Sequence, residues 1–231
     1  MTDPGGDATT AGAARTAGGK SRKGAETRAR LVEAAKVVFE RDGFLEARIT
    51  DIAKEAGVSH GSYYHYFESK EQLFREVAEL QEERLTAPPD DPSTAIGHDA
   101  PLSVRIEEAN RRYLERYRDE AKLMGVIEQV SRYDEVVREV RAERFRFFAK
   151  RSEAAIRQWQ DDGRVDPAID PKLAADALGS MVARFAELWL VQEYADYDFD
   201  HVVEQLSLLW ANALGLNDAT TKPTKQRKRE R

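Results

Sequence analysis

The sequence predicts an all-α protein built of a small N-terminal domain and a larger helical one. Apolar residues recur at helical spacing through most of the chain, no stretch alternates as a strand would, and the breaks fall on helix caps. The first helix is TRARLVEAAKVVFERDG, with Leu31, Ala34, Ala35, Val38 and Phe39 on one stripe and a stop at Asp42-Gly43. A short second helix, ITDIAKEAG, ends at Gly57. A third short helix follows the Gly turn. SKEQLFREVAELQEERL then opens on Ser69 and Gln72 in capping-box spacing and carries Leu73, Phe74, Val77 and Leu80.

Further helices are expected at about 102–118, 120–131, 134–162, 171–194 and 199–215. Asp162-Gly163 closes the longest, and Asp170-Pro171 opens the next with an N-cap acid and an N1 proline. The expected organisation is an unstructured arm at 1–23, a helix-turn-helix domain at 24–70, a helical domain at 71–216 with a Pro/Asp-rich loop at 87–101, and an unstructured basic tail at 217–231.

Composition narrows the chemistry. A chain of 231 residues, 41% hydrophobic, can bury a substantial core. It contains no cysteine, so disulfides, thiolate metal sites and cysteine nucleophiles are excluded. No segment reads as a signal peptide or a membrane span, which points to a cytoplasmic protein with no membrane partner. The formal net charge is -6, but the acidic excess lies in the middle of the chain, so it does not exclude a phosphate-binding surface near the N-terminus. The four histidines, His60, His65, His98 and His201, are dispersed. No metal site and no cofactor motif is expected.

The stretch AGVSHGSYYHYFESK, residues 56–70, is the densest in function. A short helix, a Gly turn and a second short helix make a helix-turn-helix, whose second helix enters the major groove of DNA. At about 100° per residue, a buried Tyr63 puts Phe67 and His60 beside it and sends Gly61, Ser62 and His65 the other way, flanked by Tyr64 and Tyr66. Gly61 and Ser62 let the backbone approach base edges and His65 can read them. The flanking hydroxyls and Lys70 can grip phosphates.

Residues 27–77 resemble the DNA-binding domain of the TetR family of bacterial transcriptional regulators. The shared features are the first helix ending in RDGF, the DIAKEAGVS block, the G-x-x-Y-x-Y-F segment and the S-K-E-x-L helix start. The resemblance implies a homodimer with one recognition helix per subunit and a larger helical domain that binds a small molecule. It also implies release from an operator on ligand binding, usually as a repressor. Position by position it places Tyr64, Tyr66 and Lys70 on phosphates and Ser59, His60, Gly61, Ser62 and His65 near bases. Where many members carry Thr or Ser at the start of the second helix, this chain has Arg48, with Thr50 two residues on. Arg48 can reach a phosphate, but the hydroxyl cap is lost. The basic arm, with Lys20, Arg22 and Lys23, is either solvated or enters a minor groove.

In the larger domain, the helix from Pro171 has a bulky face (Leu178, Met181, Phe185, Leu188, Trp189) and a small face. The small residues Ala175, Gly179, Ala183 and Ala186, with Leu190, are expected at a dimer interface and the bulky ones in the core. The last helix is expected to point Val202, Val203, Leu206, Leu209, Trp210 and Ala213 inward and to give Leu208 and Ala211 to the dimer, completing a four-helix bundle across a twofold axis. Tyr113, Tyr117, Met124, Ile127, Phe148, Met181, Phe185 and Trp189 line either a plain core or a pocket for an apolar effector. An acyl-CoA, a lipid-like metabolite or a hydrophobic drug each fit such a pocket. Arg141 and Arg144 fall on the core stripe of the long helix. They, with Arg184, either form ion pairs with Glu128 or Glu187 or hold the carboxylate or phosphate of a ligand.

Two other function classes are weighed against this reading. An enzyme is disfavoured, since the chain has no phosphate-binding glycine loop, no H-E-x-x-H and no nucleophile elbow. A DNA-binding protein whose second domain only dimerises stays open. The tail TKPTKQRKRER either adds nonspecific DNA affinity or only solubilises the chain end.

Overall fold

A computed structural model describes residues 11–88 and 100–216. Among these residues every regular element is helical: α1 (Ala11–Glu46), α2 (Ile49–Glu55), α3 (His60–Tyr63), α4 (Lys70–Thr86), α5 (Leu102–Asp119), α6 (Ala121–Ser131), α7 (Glu135–Asp161), α8 (Pro171–Ala186) and α9 (Phe199–Ala213). The basic tail, His98 and most of the loop expected at 87–101 lie outside the described residues.

The chain divides into two compact units, residues 1–81 with 126–137, and residues 82–125 with 138–231. The first division falls inside α4 rather than at residue 70. The cause is the N-terminal half of α4, whose Leu73, Phe74, Val77 and Ala78 are buried like the core residues of α1. Phe74 meets Phe39 and Phe44 edge-on, each pair of ring centroids 5.0 Å apart. Such contacts add about 1 kcal/mol each beyond area burial.

In the first unit Leu31, Ala35, Val38 and Phe39 form the buried stripe of α1, as their spacing requires. The α1 backbone is already helical from Ala11, upstream of the expected start. It breaks at Gly43, whose φ of 72° is the expected stop, and resumes for one short turn to Glu46. The α2–α3 turn depends on Gly57 at φ 65°. There the Val58 amide donates to the Ala53 carbonyl (2.9 Å) and the Gly57 amide to that of Lys54 (3.1 Å), closing a Schellman cap that only a left-handed residue allows.

The second unit packs α5 against both α9 and α8. Buried Asn110 on α5 donates to the Ser207 hydroxyl on α9 (3.0 Å), fixing the register of that pair. Gly125 on α6 lies so close to Val191 that an added Cβ would sit 2.7 Å from the Val191 Cγ1. α8 begins at an Asp170 N-cap that accepts from the Leu173 amide (2.8 Å), and runs on into a π-helical turn, Glu187–Val191.

The face assignment of α8 is corrected. Ala175, Ala183 and Ala186 are buried within the chain, while Leu178, Met181 and Phe185 are only part-buried and Leu173 is 68% exposed. These small residues serve this chain's own core, and of the bulky set only Trp189 is buried. Gly179 and Leu190 are part-buried. On α9, Val202, Val203, Leu206 and Trp210 are buried as expected, but Leu209 is 51% exposed while Ser207 and Ala211 are buried. Leu208 is exposed as expected.

Candidate nucleic-acid interface and effector cleft

The helix-turn-helix is held from below. Tyr63 and Phe67 are buried, and the Tyr63 hydroxyl donates to the Ser69 carbonyl at 2.9 Å. Burial raises the Tyr63 phenol well above its ordinary range, so the hydroxyl stays a donor at any physiological pH. α3 itself is only four residues long and continues as turns through Tyr66, with the Phe67 amide reaching the Tyr63 carbonyl (3.1 Å). Ser59 caps it, accepting from the Ser62 amide at 3.1 Å, and the two serine hydroxyls lie 2.8 Å apart.

The outward side matches the expected set with two changes. Arg48, Thr50, Ser59, Gly61 and His65 are exposed, Tyr64 is 49% exposed, and Ser62 and Tyr66 are half-buried. Arg48 is the N-cap of α2 and forms no side-chain cap bond, as the lost hydroxyl implies. His60 is exposed rather than beside Tyr63. It stands edge-on to Tyr64, with centroids 5.3 Å apart.

Lys70 is the second change. Its ammonium donates to the carbonyls of Phe44 (2.6 Å), Leu45 (3.2 Å) and Ala47 (2.9 Å) and lies 4.6 Å from the Phe44 ring. An ammonium has three donors, and all three are used. Lys70 therefore ties the start of α4 to the end of α1, where carbonyls leaving a helix lack partners. Gln72 completes the local cap. Its amide donates to the Ser69 hydroxyl (3.1 Å) and its side-chain oxygen accepts from the Glu68 amide (2.6 Å), one residue upstream of the usual box. Arg28, unnoticed in the sequence, lies 4.5 Å over the Phe67 ring and pairs with Glu76. Arg22 in the arm is exposed and bonded to Glu26.

Gly61 is the informative residue on this face. A Cβ built there meets nothing within 4 Å, and its backbone is ordinary right-handed helix. The fold does not need a glycine, and Gly costs a helix about 1 kcal/mol relative to Ala. What glycine supplies there is an uncovered stretch of backbone.

Residues 31–77 match the family model for bacterial regulatory proteins of the tetR family. This segment is a TetR-family one. The curated regulator YdgC of Bacillus subtilis is 46% identical over 55 residues, 24% of this chain and 28% of YdgC. The alignment thus spans under a third of that relative's length. It covers the TetR helix-turn-helix and little else. The likeness of the rest is one of fold. The fatty acid degradation regulator FadR of Bacillus halodurans superposes with a TM-score of 0.65 over 83% of this chain and 97% of that one, at 18% identity. FadR of Bacillus subtilis, solved in complex with stearoyl-CoA, gives 0.63 over 78% and 96%, at 16% identity. The curated relatives are transcriptional regulators.

The second unit contains a cleft enclosing about 130 Å³. Of the expected ligand residues, Tyr117, Arg141 and Arg184 line it, joined by Arg144, Phe145 and Glu187. Met124, Ile127 and Trp189 are buried as core, and Tyr113, Phe148, Met181 and Phe185 are part-buried and do not line the cleft. Tyr113 instead packs edge-on against Phe148 and tilted against Tyr117. The cleft is thus more cationic and smaller than an apolar effector pocket.

Its arginines form ion pairs. Arg141 lies 4.0 Å from Glu187, Arg184 pairs with the same carboxylate, and Arg144 lies 2.7 Å from Glu82. Glu187 was an expected partner. Glu128 is bound instead to Arg132 (2.8 Å), and Glu82 went unrecognised. The available signal was the α4 stripe Phe74, Ala78, Gln81, Leu85, which carries a polar residue at a core position beside Glu82. Burial raises the Glu82 carboxyl above its ordinary range, opposed by Arg144 and Arg141. Among the described residues no cluster of His, Asp and Glu could hold a metal ion, and no helix is long and apolar enough to cross a membrane.

Proposed function

We propose that this chain is a dimeric, cytoplasmic DNA-binding transcriptional regulator, a repressor released from a palindromic operator by a small ligand. The observation that carries it is the outward face of α3. Gly61 leaves the backbone open, and His60, Tyr64 and His65 surround it on a TetR-family segment. Arg48 and Thr50 flank it, and Tyr66 and Ser62 complete the contact set, without Lys70.

Two recognition helices about one DNA turn apart, about 34 Å, would read two half-sites. The exposed Leu173, Leu208 and Leu209 supply the apolar surface a partner copy would cover. A ligand must prefer the released conformation by a few kcal/mol to empty the operator. A second reading, in which the larger unit only dimerises, draws on the small size of the cleft.

Selection from a random duplex library tests the proposal. A palindromic consensus is expected, with His65→Ala relaxing preference within a half-site and Tyr64→Phe weakening all sequences alike. Recovery of no enriched sequence would overturn the operator reading. In sedimentation, the pair Leu208→Glu and Leu209→Glu should convert a dimer to a monomer.

A further inference from the structure

We infer that the cleft of the second unit takes a small organic carboxylate, a monoanion whose head group docks on Arg144 and Arg141 past Arg184 at the mouth. The inference rests on the reading of this unit as effector-binding and names the class of effector.

Charge selects an anion. Three guanidinium groups line the cleft against one carboxylate, that of Glu187. Glu82 does not line it and lies behind Arg144. Arg184 is 57% exposed, so it can meet a ligand arriving from solvent.

Hydrogen bonding locates the head group. Arg144 is 3% exposed; its Nη1 lies 2.7 Å from the Glu82 carboxylate, while its Nε is buried with no acceptor. The nearby Tyr113 hydroxyl is likewise buried without a partner. A buried guanidinium N–H is costly to leave unmade, and a carboxylate oxygen is the acceptor that would satisfy Nε with a charge-assisted bond. An oxygen placed there would satisfy a donor that Glu82 does not.

Size and backbone agree. A dry cavity of about 150 Å³ holds one benzene ring. The cleft is close to that, with Tyr117, Phe145 and Ala183 as apolar walls. Glu187 is delivered to it by the π-helical turn, a distortion that recurs at functional sites.

Three probes of one shape and different charge test this on the full chain by calorimetry and thermal shift: benzoate, benzyl alcohol and benzylamine. Benzoate should bind and raise Tm in a saturable way, and the other two should not. Arg184→Gln should weaken benzoate about tenfold, as loss of a charge-assisted bond does. Glu82→Gln should tighten it about tenfold, because the competing carboxylate is gone. Since Arg144→Gln alone strands Glu82, it is made together with Glu82→Gln, and the pair should abolish binding while the protein stays folded. Equal binding of benzylamine or benzyl alcohol, no response to benzoate, or weaker benzoate binding in Glu82→Gln would each overturn the inference. Duplex selection without ligand reports separately on the DNA-binding reading.

Discussion

The two units treat buried polarity differently, apart from Gln81 at the end of the first, whose side-chain amide is buried without a partner. In the helix-turn-helix unit the buried Tyr63 hydroxyl has its acceptor, the Lys70 ammonium has three, and α2 ends in a complete cap. In the larger unit the Tyr113 hydroxyl, the Trp210 indole N–H and part of the Arg144 guanidinium are buried without partners. Satisfied groups rigidify a fold, whereas half-satisfied ones store free energy that a rearrangement or a ligand can release.

The contrast is broken most directly at Arg144. Arg144→Ala leaves Glu82 buried and uncompensated and should cost about 3–5 kcal/mol in denaturant unfolding, while Glu82→Leu with Arg144→Met should recover most of it. A loss under 1 kcal/mol for Arg144→Ala would mean that water reaches the pair.

Two glycines sharpen the comparison next. Gly125→Ala drives a methyl into Val191 and should cost about 1–3 kcal/mol. Gly61→Ala meets open space, so stability should hold or rise by up to about 1 kcal/mol while DNA affinity falls. Unchanged affinity would remove Gly61 from the interface.

A pair of tyrosines tests the difference in its simplest form. Tyr63→Phe should cost about 1 kcal/mol, since the Ser69 carbonyl loses the nearer of its two donors and keeps only the Leu73 amide. Tyr113→Phe should be neutral or stabilising, because the hydroxyl it removes has no partner. Equal losses at both sites, measured by urea unfolding, would erase the distinction between the units.

The smallest effect concerns Asp134, which accepts from Arg75 at 2.9 Å and caps α7 through the Val137 amide at 3.1 Å. Burial works to raise its pKa, but Arg75 and the amides prevail and hold it below the ordinary 3.8. A depressed carboxylate stabilises the fold above its unfolded pKa and stops doing so as pH falls through the folded value. Asn keeps the cap, so Asp134→Asn should cost only a few tenths of a kcal/mol at neutral pH. That gap should close below about pH 3.8, by thermal unfolding across pH.

The helices and the helix-turn-helix were legible because period, caps and glycine stops are local signals. Gly43, Gly57 and Asp170 sit where the sequence placed them. The face assignment of α8 failed for a physical reason. Periodicity shows that Ala175, Ala183 and Ala186 share a side but is silent on whether their close neighbour is α5 or a second copy. Lys70 misled because a solvated lysine and one captured by three carbonyls look alike in sequence. Glu82 and Arg144 lie far apart in the chain, and only tertiary packing brings them together.

The division of labour within residues 59–67 bears on how such a protein diverges. Tyr63 and Phe67 carry the anchoring, while His60, Gly61 and His65 carry none of it. Substitutions at the outward positions are nearly free of folding cost, so on the proposed DNA-contacting role duplicated copies of this chain would change target preference one residue at a time without passing through an unstable intermediate.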